Sequence, residues 1–220
     1  MLVERTTAGL HSHLHQVLQS RLRPDAKSIL DIGCGSGAWL QRSHSLGFDR
    51  LVGIDLVKPP PVDQLDLRQI DINEFDSSSC LGSFDVVSCI EMIEHVENVG
   101  RLLDLIKASL AANGVGIITT PNIESLHARL RHLASGKAPF FDEKSDPTHV
   151  FPVLEHSLQK MLQRRGLTIS ERLYFPRKAG KSTCFGAGVR SLYRLMRVLL
   201  ADRNPGDITI YVVRYPMQNW

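Results

Sequence analysis

The amino-acid sequence predicts an α/β fold in which helices cover both faces of a parallel sheet. Short, nearly continuous apolar segments alternate with amphipathic segments, as buried parallel strands and their covering helices do. A glycine-rich segment, residues 33–37, directly follows the first predicted strand. The chain of 220 residues has the length of one domain, and no internal repeat or convincing linker divides it.

The first half of the chain supplies most of the predicted sheet. Apolar residues recur at helical spacing between residues 6 and 22, and Pro24 ends this helix. Further helices are predicted over 38–46, with Gly47 as its C-cap, and over 99–110. The predicted strands cover residues 28–32, 51–55, 65–72, 84–90 and 115–120.

The second half continues the alternation less regularly. Its predicted strands cover 167–173 and 207–214. Its predicted helices cover 122–133, 154–165 and 189–201, and its predicted loops cover 134–150 and 174–188. We therefore expect the second half to extend the same sheet.

Composition excludes several classes of protein. With 43% hydrophobic and 22% charged residues, the chain has the composition of a globular protein. It contains no apolar stretch of the ~20 residues that a membrane-spanning helix needs. Residues 1–20 lack the apolar segment that is expected of a secretory signal. A net charge of +3 is too small to identify a nucleic-acid-binding protein. The four cysteines show no C-x-x-C spacing, so we expect reduced thiols in a cytoplasmic protein.

The glycine-rich segment is predicted to bind a ligand. Asp31 and the glycines that follow it spell D-x-G-x-G-x-G where a strand passes into a helix. Glycines let a ligand approach the backbone, and the helix N-terminus offers unpaired amides. An acid before the first glycine would repel a pyrophosphate but attract an ammonium group. Asp55 ends the second strand, where acids accept the hydroxyl groups of a ribose.

On these residues the chain resembles the class I S-adenosylmethionine-dependent methyltransferases. The resemblance covers about residues 25–170 and also includes the strand 84–90 followed by Glu91, and Asn113-Gly114 before the fifth strand. It implies a single Rossmann-like domain with a seven-stranded sheet whose last strand is antiparallel. We expect the N-terminal helix, over 1–24, to pack on a methyltransferase domain over 25–220, with acceptor-side insertions over 121–150 and 174–203.

The resemblance also implies the residues that bind S-adenosylmethionine. Asp55 would hold the ribose, and Glu91 would line the cleft. An acid after strand three would meet the adenine amino group; Asp71, followed by Ile72, competes with Asp66, because Pro59–Pro61 obscures the register. The loop that holds the methionine part comprises Asp31, Gly33, Cys34, Gly35 and Gly37.

A second cluster of polar residues directly follows the fourth strand. If this segment is helical, Glu91, Glu94 and His95 share one face. With His149 they could bind Mn²⁺, Mg²⁺ or Zn²⁺. The E-x-x-E-H pattern resembles that of small-RNA 3′-terminal 2′-O-methyltransferases and also of ubiquinone-pathway O-methyltransferases. Alternatively, Glu94 and His95 only cap or bridge nearby loops, and Glu91 only lines the cofactor cleft. In the absence of a metal, His95 or His149 could be the general base.

Basic residues suggest how an acceptor could be held. Arg129, Arg131 and Lys137 could bind an anionic acceptor, or they could form a solvated helix face. The basic amphipathic helix 189–200 could contact an anionic membrane surface or RNA phosphates, or it could belong to the core. His11, His13 and His15 are expected to be exposed.

The sequence thus predicts a methyltransferase that acts on oxygen. The expected acceptor is a small molecule, a lipid, a quinone or a glycan. The alternatives are a metal-assisted RNA 2′-O-methyltransferase and a cofactor-binding subunit without catalytic activity.

Overall fold

The protein forms one seven-stranded sheet with helices packed on both of its faces. The computed structural model describes residues 2–75, 81–176 and 206–216. The strands are β1 Ser28–Ile32, β2 Arg50–Asp55, β3 Asp66–Gln69, β4 Phe84–Ile90, β5 Leu110–Pro121, β6 Thr168–Phe175 and β7 Ile208–Arg214.

The strand order is β3-β2-β1-β4-β5-β7-β6. Strands β1 to β5 pair in parallel, and β7 lies antiparallel between β5 and β6. This arrangement confirms the predicted mostly parallel sheet with an antiparallel last strand. Because the first strands are parallel, their carboxyl ends meet at one edge of the sheet.

Five helices in the described part of the chain cover this sheet, and a short 3₁₀ turn follows β4. The helices are α1 Leu10–Gln19, α2 Ala38–Ser43, α3 Val99–Ser109, α4 Leu126–Ser135 and α5 Glu155–Gln163. The 3₁₀ turn comprises Ile93–His95, and another, His44–Leu46, continues α2. None of the described helices combines the length and the apolar character needed to cross a membrane.

Alternation along β1 divides the apolar core into two parts. Leu30 and Ile32 face one part, together with α3 and α5, whereas Ile29 faces the other, together with α1 and α2. The part below α1 and α2 contains Trp39, which is fully buried. Side chains thus fix β1 from both faces, so the loop that leaves its carboxyl end starts from a rigid position.

Several boundaries differ from the predicted ones for local reasons. Helix α1 is shorter than predicted because it begins after Gly9, which has a φ of 83°. Helix α4 begins at Leu126 because the Ser125 hydroxyl accepts a hydrogen bond from the amide of Ala128. The predicted strand 65–72 is reduced to β3. The predicted helix 189–201, most of the predicted loop 174–188, Cys80 and Cys184 lie outside the described residues.

Candidate active site

A cavity of about 430 Å³ opens at the carboxyl ends of β1, β2 and β4. This volume lies in the range of ~300–1,000 Å³ that is typical of small-molecule sites. Its walls contain eight of the nine residues that the sequence assigns to the cofactor: Asp31, Gly33, Cys34, Gly35, Asp55, Asp71, Ile72 and Glu91. Gly37 is the exception, because it caps α2 with a φ of 80°.

Two glycines give the loop after β1 its shape. A Cβ atom on Gly33 would lie 2.4 Å from Cγ of Met92, so a larger residue would not fit there. Gly35 has a φ of 52°, and no atom lies within 4 Å of the place where its Cβ would be. Its amide donates a hydrogen bond of 2.8 Å to Oδ2 of Asp55. The loop therefore offers open space beside a carboxylate of the neighbouring strand.

Asp31 is a buried carboxyl group at the end of β1. It is 3% exposed and accepts a hydrogen bond of 2.7 Å from the hydroxyl of Ser88. The indole of Trp39 donates in turn to that hydroxyl, at 3.1 Å. Burial raises the pKa of Asp31 to about 7; the Ser88 bond opposes this rise and the charge of Asp55 adds to it. A cation in the cavity would favour the ionised form of Asp31.

The structure distinguishes the two acids proposed for strand three. Asp71 lines the cavity together with Ile72, and its Oδ1 accepts a hydrogen bond of 2.8 Å from the amide of Asn73. Asp66 instead forms an ion pair with Arg68 and does not line the cavity. Asp71 is therefore the acid that a ligand in this cavity can reach.

The segment before α1 forms a wall of the cavity that the sequence did not predict. The amide and hydroxyl of Thr7 lie 3.4 and 3.3 Å from Oε2 of Glu91. The hydroxyl of Ser36 donates to the carbonyl of Val3 at 2.8 Å. A further ion pair, of 2.6 Å, joins Glu4 to Arg42. His11 was expected to be exposed, but it is buried and also lines the cavity.

The predicted common helical face after β4 is wrong. Glu91 has a φ of 48°, in the left-handed region, and the 3₁₀ turn begins only at Ile93. The amide of Glu91 donates to the hydroxyl of Thr119 at 2.9 Å. Glu91 is therefore held between β5 and the segment before α1, and burial raises the pKa of its carboxyl group.

Three of the four predicted metal ligands lie together without Glu91. One carboxylate oxygen of Glu94 and one ring nitrogen each of His95 and His149 lie within 4.8 Å of one another. Glu94 is 1% exposed, and among the described residues neither of its oxygens has a partner with hydrogen-bond geometry. Burial raises its pKa to about 8; its own backbone amide and the hydroxyl of Thr120 oppose this rise, and the charge of Glu91 adds to it. One carboxylate oxygen and two imidazole nitrogens are groups that could hold a divalent metal ion.

The two imidazoles are also held individually. Their ring centroids are 4.7 Å apart. Nδ1 of His95 lies 2.7 Å from the hydroxyl of Thr148, and Nδ1 of His149 lies 2.8 Å from the carbonyl oxygen of Phe140. His95 lines the cavity, and its burial lowers its pKa, as does the nearby His149. His95 is therefore a neutral imidazole at the edge of the cavity.

The basic residues after β5 are mostly engaged with acids. Arg131 pairs with Asp142, and Lys137 pairs with Glu143. Arg129 is exposed on α4. An anionic acceptor would therefore have to compete with Asp142 for Arg131 and with Glu143 for Lys137.

Comparison with known proteins identifies a family. Residues 5–172 match the family described as a methyltransferase domain. A ubiquinone biosynthesis O-methyltransferase of Actinobacillus pleuropneumoniae is 32% identical in an alignment of 110 positions that covers 44% of this chain and 46% of that protein. One from Acinetobacter baumannii is 29% identical in an alignment of 107 positions that covers 44% of this chain and 44% of that protein. The match thus spans less than half the length of these relatives.

Solved structures share the fold at low sequence identity. A SAM-dependent methyltransferase from Archaeoglobus fulgidus gives a TM-score of 0.62 at 19% identity, covering 92% of this chain and 93% of that one. Magnesium protoporphyrin IX methyltransferase from Synechocystis, with bound SAH, gives 0.57 at 16% identity, covering 93% and 82%. At such identities the likeness concerns the arrangement of the sheet and its helices.

Proposed function

The chain belongs to the methyltransferase-domain family, and from this premise we propose that it transfers a methyl group from S-adenosylmethionine to an oxygen atom of a small acceptor. One observation carries the proposal: Asp31, the open side of Gly35 and Asp55 face one cavity at the ends of adjacent strands. The names of the relatives, ubiquinone biosynthesis O-methyltransferases, support oxygen as the atom that accepts the methyl group.

The residues present fit S-adenosylmethionine. The carboxyl group of Asp31 is the partner for the ammonium group of the methionine part, because a cation removes the penalty of a buried carboxylate. Asp55 offers carboxylate oxygens to the ribose hydroxyls, and Asp71 with Ile72 offers the wall for the adenine. Gly35 leaves the space that the bound molecule requires.

The acceptor reacts at the side of the cavity that contains His95. Bound S-adenosylmethionine supplies a methyl group on a positively charged sulfur, which keeps the electron pair of the broken bond. His95 accepts the proton that the acceptor hydroxyl loses, because its lowered pKa keeps it neutral. Transfer requires the acceptor oxygen in line with the methyl group, and a cavity that held both molecules in this way would supply much of the acceleration.

A specific observation favours a second candidate function, metal-assisted methylation of an RNA 2′-hydroxyl. Glu94, His95 and His149 form a mixed oxygen and nitrogen donor set. They could hold Mn²⁺, Mg²⁺ or Zn²⁺, which would polarise a hydroxyl group. This function requires that a chelator abolish activity, that added metal restore it, and that Glu94→Gln prevent the restoration. If activity survives exhaustive chelation and RNA is not methylated, this second function is excluded, and His95 acts as a base without a metal.

Calorimetric titration with S-adenosylhomocysteine tests the cofactor assignment. Gly35→Arg should abolish measurable binding, because its side chain would enter the cavity. Gly136→Arg is the matched control: Gly136 also has a positive φ, 68°, and open space, but it ends α4 outside the cavity wall. Absence of binding by the wild type, or equal binding by both variants, would contradict the assignment.

A panel of acceptors tests the reaction itself. Purified protein is incubated with isotopically methyl-labelled S-adenosylmethionine and phenols, quinols, glycans, lipid hydroxyls or RNA. Label in an ether product supports the proposal, and label in an amine contradicts oxygen as the acceptor. Binding of cofactor without label transfer to any acceptor would instead support a subunit without catalytic activity.

A further inference from the structure

We propose that Asp146 and Thr148 position His95: they hold its ring with the proton on Nδ1 and leave Nε2 as the atom that accepts a proton. The inference rests on the proposed methyl transfer to oxygen, and it adds two positioning residues to that site. Neither residue was assigned a role by the sequence analysis. Asp146 lines the same cavity as His95, and Thr148 lies two residues further along the loop.

The direction of the hydrogen bonds follows from the groups that make them. The hydroxyl of Thr148 lies 2.6 Å from Oδ1 of Asp146, and its amide lies 2.9 Å from the same oxygen. A threonine hydroxyl has one proton, and an ionised carboxylate can only accept. The Thr148 proton is therefore committed to Asp146, so the hydroxyl presents a lone pair to any other neighbour.

His95 is that neighbour. Its Nδ1 lies 2.7 Å from the Thr148 hydroxyl and must donate, since the hydroxyl has no second proton to give. The neutral ring then has its only proton on Nδ1. The two hydrogen bonds from Thr148 also keep the pKa of Asp146 below its usual value, so the carboxylate stays ionised and the direction of donation is fixed.

The neighbouring imidazole is held in the same way by an independent contact. Nδ1 of His149 lies 2.8 Å from the carbonyl oxygen of Phe140. A carbonyl only accepts hydrogen bonds, so Nδ1 of His149 also carries a proton. Phe140 has a φ of 70°, which residues other than glycine seldom adopt. One loop, residues 140–149, thus fixes the tautomer of both rings.

The backbone attachment of this loop does not depend on the Thr148 side chain. The amides of Val150 and Phe151 both donate to the carbonyl oxygen of Glu94, at 2.9 and 3.0 Å. Thr148 itself is exposed, so water could replace its hydroxyl. Water can donate as well as accept, and it would not select one tautomer. Removal of the hydroxyl should therefore change the tautomer of His95 while the loop stays in place.

Three variants test the inference by steady-state kinetics with the full chain. Thr148→Val should lower kcat by about 10- to 100-fold, as loss of the partner that orients a functional histidine does. The KM for the acceptor and the affinity for S-adenosylhomocysteine should change by less than about twofold. Thr148→Ser, which keeps the hydroxyl, should restore kcat. Thr168→Val is the control, because its hydroxyl accepts from Gln159 elsewhere.

Nitrogen-15 NMR of histidine-labelled protein reads the tautomer without any reaction. The signals of His95 are assigned with a His95→Gln variant. The wild type should carry its proton on Nδ1, and Thr148→Val should shift signals toward the Nε2-protonated form or a mixture. Thr148→Ser should resemble the wild type.

The outcomes separate this inference from the proposed function. A wild-type His95 protonated on Nε2 would overturn the inference even in an active enzyme. A Thr148→Val variant with unchanged kcat would overturn it as well, including one in which only the KM for the acceptor rises. If the protein binds no cofactor, the proposed function fails, whereas an Nδ1-protonated His95 that responds to Thr148→Val still supports the positioning.

Discussion

The two sides of the cavity are built in different ways. On the glycine-loop side, which comprises residues 31–37 and Asp55, the protein groups that face the cavity are backbone amides and acids at strand ends. Parallel pairing of β1 with β2 fixes them, with Asp31 opposite Gly53. On the histidine side, residues 91–95 with 140–149, the groups are side chains on a 3₁₀ turn and a loop. Individual hydrogen bonds to side chains and carbonyls fix these groups.

This difference suggests a division of function, in which the glycine-loop side binds the cofactor and the histidine side determines the reaction with the acceptor. Strand register cannot change without moving the core, so the glycine-loop side offers one fixed geometry. A loop can change one contact at a time, so the histidine side can be adapted to different acceptors. If the division is correct, variants on one side should affect binding of the cofactor, and variants on the other side should affect the reaction.

The largest expected effect comes from a pair of substitutions, one on each side. His95→Ala should lower kcat by about 10²- to 10⁴-fold, the usual contribution of a general base, with no change in the affinity for S-adenosylhomocysteine. Asp55→Ala should weaken that affinity by about 10- to 100-fold, because it removes a charged hydrogen-bond acceptor. Kinetics at saturating cofactor and calorimetry check both. The division is refuted if either variant changes both quantities equally.

Glu94 on the histidine side should limit stability at high pH. Its pKa is about 8 in the folded protein, above the ordinary 4.5. Since the unfolded chain releases this proton first, the free energy of unfolding should fall as the pH rises from about 4.5 to 8 and then level off. Glu94→Gln should therefore be more stable than the wild type at pH ~9, by up to about 1.4 kcal/mol for each unit by which folding raises the pKa of Glu94.

Urea unfolding of the two proteins at pH ~5 and ~9 measures this effect. The wild type and Glu94→Gln should differ little in free energy of unfolding at the lower pH, where residue 94 is neutral in both folded proteins. A difference that is the same at both values would show that packing, and not ionisation, is responsible.

Asp31, the buried acid on the glycine-loop side, should instead make cofactor affinity depend on pH. Its pKa in the free protein is about 7. The ammonium group of the cofactor prefers the ionised carboxylate, so affinity should rise about tenfold between pH ~6 and ~8 and level off above that. Asp31→Asn should bind weakly at every pH. Calorimetry over this range checks the sign, and a wild-type affinity that falls with pH would contradict it.

The smallest expected effect concerns the segment before α1. Glu4 pairs with Arg42 and lies 3.5 Å from Nδ1 of His11, in a partly exposed position. Glu4→Gln should weaken cofactor binding only about two- to fivefold, the range expected for such an ion pair. High salt should reduce the difference between variant and wild type. A larger loss, insensitive to salt, would mean that this segment determines binding by another contact.

Sequence reasoning predicted the glycine-loop side well because its signals are local. Asp31 and the glycines are consecutive, and Asp55 follows an apolar run that could only be a buried strand. The alternation of elements then predicts that both acids lie at the same edge of the sheet. The choice between Asp66 and Asp71 needed the structure, because β3 ends before Asp71.

The histidine side was predicted less well because its contacts join distant residues. Thr7 and Glu91 are 84 positions apart and meet through two long hydrogen bonds. No local pattern predicts such a contact. The helical face proposed for Glu91 failed because its left-handed backbone separates it from the turn. The sequence contains Asp146 and Thr148 beside His149, but only the fold shows that they face His95.

The position of β7 has a consequence for the integrity of the chain. Among the described strands β7 comes last in the sequence, but it lies inside the sheet and not at its edge. It pairs along Gly116–Pro121 of β5 on one side and along β6 on the other. A fragment cut before Ile208 would leave that stretch of β5, which is buried in the whole protein, as an open apolar edge. Such edges recruit strands from other molecules. A variant that ends before Ile208 should therefore aggregate and should not form a shorter active protein.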